Sequence, residues 1–316
     1  MKITVLDKPS FTVGDINLEN LDKLGEVSYY GILPRNEVIK ACYNATAVIC
    51  NKTLFDKEMI ESLPNLKYIG VTATGYNNVD LSFAKERGIV VANVPGYSTV
   101  DVAQHVFAFI LHHSNKVDVY DNSVKNGDWL KSITFCYFDY PLCELSGKTL
   151  GIFGYGDIGK QVAKIGDAFG MKVLVHTRTI PTNCPYSLVD RETLFKESDY
   201  LTIHCPLNQQ TKGLINENTL SLMKKSAVLI NTSRGPVVDE KALRYALDNK
   251  VIAHAYLDVL AVEPMQKDCP LIGAKNLTLT PHIAWAPTES RQRLMDIVAS
   301  NVQAFIDGKP QNVVNK

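Results

Sequence analysis

Apolar runs at residues 3–6, 47–50, 66–72 and 89–93 read as short buried strands, and helix-spaced apolar residues lie between them at 36–42, 56–62 and 81–87. Such alternation predicts a parallel sheet covered by helices. From Thr99 to Leu111 the pattern turns apolar nearly all round (Val100, Val102, Ala103, Val106, Phe107, Phe109, Ile110, Leu111), which predicts a helix buried on several sides at a domain junction. A second alternation follows, with strands expected at 148–153, 172–176, 200–204, 226–231, 251–257 and 277–280, and helices at 157–169, 191–198, 217–225 and 240–249. It completes a second doubly wound sheet. A last helix over 290–307 starts after Pro287 and Thr288, ends at Gly308, and is expected to return to the first domain. The predicted domains are therefore 1–98 with 287–316, and 99–286.

Glycines punctuate the boundary between the strand at 148–153 and the helix at 157–169, in Leu150-Gly151-Ile152-Phe153-Gly154-Tyr155-Gly156-Asp157-Ile158-Gly159. A strand, a G-x-G-x-x-G turn and an amphipathic helix in that order form a dinucleotide-binding fingerprint. Gly154 allows the tight turn, Gly156 lets a pyrophosphate approach the backbone, and Gly159 lets the helix pack close to the strand. The first helical amides, at Asp157 and Ile158, then face the phosphates. A fingerprint in mid-chain implies that one domain is discontinuous.

Composition narrows the remaining classes. Lysine plus arginine and aspartate plus glutamate both number 33, so no global field attracts nucleic acid or an anionic membrane. The first apolar stretch is too short for a signal peptide, and no later run is long enough to span a bilayer. Seven cysteines without C-x-x-C spacing fit reduced thiols in a cytoplasmic protein better than a disulfide framework. His105, His112 and His113 on the junction helix invite a metal reading, but that helix offers no carboxylate or cysteine completing a ligand set, so no metal is expected.

In open parallel sheets ligands gather at the carboxyl ends of strands. There the sequence places Arg234, after strand 226–231; Glu263, beyond strand 251–257; and His282, after strand 277–280. With the motif Asn231-Thr232-Ser233-Arg234-Gly235, the segment Asp258-Val259-Leu260-Ala261-Val262-Glu263-Pro264 and Pro281-His282, the chain resembles the D-isomer-specific 2-hydroxyacid dehydrogenases over almost its whole length. The resemblance implies an α/β fold of two doubly wound parallel-sheet domains, a Rossmann dinucleotide-binding domain inserted into a flavodoxin-like substrate domain. It also implies that Arg234, Glu263 and His282 are catalytic, and that Thr74 and Gly75, in Ala73-Thr74-Gly75-Tyr76-Asn77-Asn78-Val79-Asp80, bind substrate together with Arg234 and His282. Asp258 matches the acceptor for the nicotinamide carboxamide, His204-Cys205-Pro206 match the adenosine side, and Thr232 and Ser233 are further cofactor contacts. Within the family, segments 72–80, 93–99 and 282–286 look most like glycerate dehydrogenases, also called hydroxypyruvate reductases.

The expected reaction is hydride transfer between NAD(P)H and a small 2-keto acid, with hydroxypyruvate or glyoxylate reduced to D-glycerate or glycolate. His282 exchanges the proton, Glu263 orients its ring, and Arg234 polarises the carbonyl. NAD-specific relatives carry an acid at the end of the second strand, roughly 20 residues past the glycines. Here His176 is followed by Thr177-Arg178-Thr179, so NADP is favoured over NAD. The aromatic cluster Phe135, Tyr137, Phe138 and Tyr140 fits core packing or a subunit interface equally, and because related enzymes use this region as a dimer arm, a homodimer is expected. The rival reading is a non-enzymatic dinucleotide sensor, like the corepressors that share this fold.

Overall fold

The computed structural model describes all 316 residues and divides into two compact units, residues 1–98 with 285–316 and residues 99–284. In the first unit β1 (Lys2–Val5), α1 (Glu19–Asp22), β2 (Glu26–Tyr29), α2 (Arg35–Cys42), β3 (Ala47–Cys50), α3 (Lys57–Glu61), β4 (Tyr68–Val71), α4 (Leu81–Glu86) and β5 (Val90–Ala92) follow in turn. The strands are all parallel, in the flavodoxin-like order β2-β1-β3-β4-β5. β3 and β4 are buried at every residue, because helices cover both faces of such a sheet. Aspartates start two of these helices: Asp56 accepts the Met59 N–H at 2.9 Å, and Asp80 accepts the Phe83 N–H at 3.0 Å.

The second unit opens with α5 (Thr99–Asn115) and α6 (Val117–Lys125). It continues through β6 (Thr149–Phe153), α7 (Asp157–Ala168), β7 (Lys172–His176), β8 (Ser187–Leu188), α8 (Arg191–Glu197), β9 (Tyr200–Ile203), α9 (Glu217–Leu222), β10 (Val228–Asn231), α10 (Glu240–Asp248), β11 (His254–Leu257) and β12 (Leu277–Leu279). Its seven parallel strands lie in the order β12-β11-β10-β9-β6-β7-β8, the doubly wound dinucleotide-fold order with one further strand at the edge. α5 buries Ala103, Val106, Phe107 and Ile110 in one cluster with Leu150 and Ile152 of β6 and Val162 of α7. The chain then returns to the first unit, where α11 (Thr288–Ile306) packs Leu294, Met295, Val298 and Val302 against Ile3, Val5 and Tyr68.

Departures from the sequence expectation have local causes. The strand expected from residue 251 begins at His254, because the Val251 N–H still donates to Ala246 O (2.8 Å) and closes the end of α10 over Lys250 at φ 54. β2 was unforeseen: it exposes Glu26 and Ser28 alternately at the sheet edge and carries no apolar run. α6 buries only Ser123, so it lacks the apolar stripe that announces a helix. Phe135 and Phe138 are 86% and 78% exposed, which excludes core packing for them.

Near the amino-terminal ends of β9 and β11, His113 and His254 pack ring to ring (centroids 5.5 Å) beside Tyr256, and burial lowers both pKa values to about 4. His204 is held neutral in the same way, at about 3. A ring whose folded pKa lies below its unfolded 6.5 contributes its full stability above pH 6.5 and loses it as the pH falls toward 4. Unfolding free energies from urea titrations between pH 7.5 and 4.5 should therefore fall below pH 6.5, by about 1 kcal/mol per ring at pH 5 after discounting partial solvent exposure. Replacing His113 and His254 by glutamine should flatten the profile, and an unchanged slope in that variant would refute the assignment.

Candidate active site

β10, β11 and β12 are neighbours in the sheet, and the loops leaving their carboxyl ends carry Arg234, Glu263 and His282. After β10 the Asn231 side chain bends the backbone. Its Oδ1 accepts the Ser233 N–H (3.0 Å) and hydroxyl (2.7 Å), and its Nδ2 donates to Arg234 O (3.0 Å). Arg234 is half-buried, donates Nη1 to Ser233 O at 2.7 Å, and is paired with no acidic side chain. Beside it, a Cβ on Gly235 would stand 1.9 Å from the carbonyl carbon and oxygen of Leu260, so the arginine turn lies directly on the loop that leads to Glu263.

Glu263 bridges its own loop and the imidazole. Its Oε1 accepts the Leu260 N–H at 3.0 Å, and its Oε2 lies 2.7 Å from His282 Nδ1. An ionised carboxylate only accepts, so Nδ1 carries the proton and Nε2, which meets no protein partner, faces away. Both side chains stay partly open, at 27% and 30% exposure. His282 itself occupies the left-handed region at φ 56, where a non-glycine residue needs external support. Asp258, 1% exposed, supplies it: Oδ1 accepts the Thr280 hydroxyl (2.6 Å) and Ile283 N–H (2.8 Å), Oδ2 accepts the Ala284 N–H (2.9 Å), and the backbone carbonyl accepts the His282 N–H (2.8 Å). Three protein donors thus occupy the Asp258 carboxylate, with a lone pair of Oδ2 left over.

The glycine turn is equally close-packed on one side and open on the other. Gly154 sits at φ 99, and a Cβ there would meet His204 C and O at 2.8 Å and Cys205 N at 2.9 Å; one on Gly159 would meet Gly154 O at 2.2 Å. At Gly156 a Cβ would meet nothing within 4 Å. The first intrahelical bond of α7 runs from Lys160 N–H to Gly156 O, which leaves the amides of Asp157, Ile158 and Gly159 without helical acceptors. Thr232, at the end of β10, buries its Oγ1 with no hydrogen-bond partner. An open approach to free amides and an orphaned buried hydroxyl on the same sheet edge suit a dinucleotide.

Other predicted residues fall as follows. Past the end of β7, Thr177 is half-buried, while Arg178 and Thr179 are exposed and the Arg178 guanidinium meets no carboxylate. His204 Nε2 contacts the Thr202 hydroxyl at 2.9 Å, Cys205 is buried and Pro206 exposed. In the first unit Thr74 donates its hydroxyl to Val94 O (3.1 Å) and receives Asn93 Nδ2 on its carbonyl (2.7 Å), next to half-buried Gly75. His112 contacts the Tyr256 hydroxyl (2.8 Å) and Asp118 (3.2 Å), and no group of three or more His, Cys, Asp or Glu side chains is arranged around a metal site. Sequence reasoning missed Thr280 and Glu240, whose Oε1 accepts the Ala261 N–H at 2.7 Å. Neither stands out in a sequence, since each acts only on a group brought to it by the fold, Thr280 on the Asp258 carboxylate and Glu240 on the Ala261 amide.

Two doubly wound sheets, a glycine turn and an oriented imidazole define a dinucleotide-dependent α/β enzyme class, and comparisons narrow it. The sequence pattern of "D-isomer specific 2-hydroxyacid dehydrogenase, NAD binding domain" matches residues 107–284. The chain is 43% identical to a hydroxypyruvate reductase of Blautia hydrogenotrophica, covering 100% of both chains, and 42% identical to a glycerate dehydrogenase of Methylorubrum extorquens, covering 99% of this chain and 98% of that one. It therefore belongs to the D-isomer-specific 2-hydroxyacid dehydrogenase family. Among solved structures, an acyclic imino acid reductase in complex with NADPH and D-Arg aligns with TM-score 0.89 at 35% identity, over 99% of this chain and 100% of that one. An NADPH-dependent glyoxylate/hydroxypyruvate reductase from Sinorhizobium meliloti, in complex with NADP and malonate, aligns with TM-score 0.85 at 29% identity, over 99% and 96%. The sensor alternative finds no support among these relatives.

Because Gly235 has no room for a side chain, Gly235→Ala should displace the 258–264 loop and cost about 1–3 kcal/mol in urea unfolding. A loss below about 0.5 kcal/mol would show that the loop yields freely there.

Proposed function

We propose that this protein is a cytoplasmic NADPH-preferring reductase of small 2-keto acids, acting on hydroxypyruvate or glyoxylate and, in reverse, on the D-2-hydroxy acid. The 2.7 Å contact between Glu263 and His282 Nδ1 carries this reading, because it fixes the ring and leaves Nε2 free to exchange a proton, at the same sheet edge as an arginine with no carboxylate partner. The relatives named hydroxypyruvate reductase, glycerate dehydrogenase and glyoxylate/hydroxypyruvate reductase support the substrate class. Seven free cysteines fit a reducing compartment.

A bound nicotinamide cofactor supplies the hydride that the substrate C2 receives. The amides of Asp157, Ile158 and Gly159 would hold its pyrophosphate, with the approach left open at Gly156, and His204, Cys205 and Pro206 would line the adenosine side. Thr232 and Ser233 would contact the cofactor, and the spare Oδ2 lone pair of Asp258 would be the acceptor for its carboxamide. Thr74 and Gly75 are assigned to the substrate carboxylate by family resemblance. Arg234 holds the carboxylate and carbonyl oxygen and gains strength as negative charge grows on that oxygen. The imidazolium form of His282, stabilised and held in place by Glu263, delivers its Nε2 proton to the oxygen and is left as the neutral Nδ1–H ring.

A second substrate reading comes from the imino acid reductase at 35% identity: the same arginine and imidazole would serve a 2-imino acid. A 2-keto acid panel run with and without an amine separates the two. Exposed Trp129, Leu130, Ile133, Phe135, Phe138 and Leu142 lie in one connecting segment and favour a homodimer, since monomers rarely leave so much apolar surface open.

His282→Ala should lower kcat by roughly two to four orders of magnitude while cofactor affinity stays nearly constant. Near-normal turnover in a steady-state assay would remove His282 from the mechanism. For the cofactor, Thr177 stands where an acid would repel a 2′-phosphate, and the exposed Arg178 can pair with that phosphate. Both structural relatives named above hold NADPH or NADP. Wild-type kcat/KM should favour NADPH, and Thr177→Asp combined with Arg178→Ala should reverse the preference. NADH preference in the wild type, with NADPH kinetics untouched by Arg178→Ala, would contradict the assignment.

A further inference from the structure

A polar chain runs from α5 to the turn that carries the proposed acid/base. His105 Nε2 lies 3.1 Å from Thr280 Oγ1, and the Thr280 hydroxyl donates to Asp258 Oδ1 at 2.6 Å. Since the only hydroxyl proton of Thr280 goes to the carboxylate, Thr280 must accept from His105, which sets the Nε2–H tautomer. The chain His105 N–H to Thr280 O–H to Asp258 carboxylate has one donor direction throughout, so each bond polarises the next. Its far end grips three successive residues: Asp258 takes the amides of Ile283 and Ala284 on its carboxylate and that of His282 on its carbonyl. Those bonds hold His282 at φ 56, a conformation that a histidine keeps only when its surroundings impose it. His105 is itself fixed, with its ring edge-on to Phe109 at 4.4 Å.

We propose that His105, through Thr280 and Asp258, is a positioning residue for His282. It touches no reacting group; its N–H anchors the hydroxyl that fixes the Asp258 carboxylate, and the carboxylate fixes the turn. Burial lowers the pKa of His105 against the raising effect of Asp258, 3.8 Å away, so the ring works as a neutral donor. The inference rests on the functional reading of His282 above, but its central readout does not depend on any substrate.

The test uses the full chain carrying 15N-labelled histidine. Imidazole 15N shifts of His282, recorded on the neutral ring, report the fraction of the Nδ1–H tautomer, and steady-state kinetics report kcat and KM. His105→Phe keeps an aromatic ring edge-on to Phe109 but has no donor; His105→Gln keeps a donor. Thr280→Val removes the middle link. Expected are a mixed tautomer for His282 and a roughly ten-fold lower kcat in His105→Phe and in Thr280→Val, with KM within about two-fold. His105→Gln should retain most of the wild-type signal, and the double variant His105→Phe/Thr280→Val should be no worse than Thr280→Val, as links of one chain require. The proposal is overturned if His105→Phe keeps the wild-type tautomer and kcat, if the glutamine variant falls as far as the phenylalanine one, or if the two losses multiply. Should His105→Phe fail to fold, Thr280→Val with His105→Gln decides, a wild-type tautomer in Thr280→Val overturning it. Inertness of the wild type toward every 2-keto acid would defeat the functional reading and leave the tautomer experiment to judge this one.

Discussion

A carboxylate buried to 1% exposure has to be satisfied by donors, and the donors that satisfy Asp258 are the backbone of the turn next to it. Desolvating an anion costs several kcal/mol, so a structure that buries one without a cation must surround it with aligned N–H and O–H groups. At the end of β11 those groups are the Thr280 hydroxyl and the amides of Ile283 and Ala284. Satisfying the charge therefore dictates the path of residues 280–284 and the left-handed backbone at His282. The first unit repeats the device. Asp7, 4% exposed at the end of β1, takes the amides of Asn51, Lys52 and Thr53 and the Thr53 hydroxyl, all at 2.9 Å, and so shapes the loop after β3.

Parallel strands place these aspartates where they act. A parallel sheet directs all its carboxyl ends to one edge, and loops leaving that edge must pack against one another. The contacts are backbone on backbone: Gly154 against His204 and Cys205, and Gly235 against Leu260. Each would become a clash with a single added carbon, so glycine at these positions is a packing requirement. Rigidity at the edge follows, because the loops bearing Arg234 and Glu263 cannot shift independently.

Charge in this neutral protein is organised locally. Arg35 pairs with Asp56 and Glu58, Arg244 with Asp248, and Arg291 with Asp15 at 2.6 Å. Arg234 and Arg178 have no carboxylate beside them, and both lie past the carboxyl ends of strands in the second unit. An arginine left unpaired at a ligand edge retains its full attraction for an anion, since no internal carboxylate has to be displaced first.

Periodicity and glycine placement alone determined the alternating architecture, the discontinuous first unit, the strand–turn–helix at Gly154 to Gly159, and the placing of Arg234, Glu263 and His282 at strand ends. These features are local: a strand or a turn needs only its own residues to announce it. The edge strand β2, the helix α6 and the late start of β11 were not legible, because an exposed edge, a helix without an apolar stripe and a helix cap acting on the next segment leave no apolar signal. Tertiary structure also decided how the site is held. Glu263 meets His282 across 19 residues, Thr280 meets Asp258 across 22, and His105 meets Thr280 across 175. Hydrogen bonds over such separations depend on which strands become neighbours, and no spacing in the sequence encodes the 2.7 Å that makes an imidazole and a carboxylate a working pair.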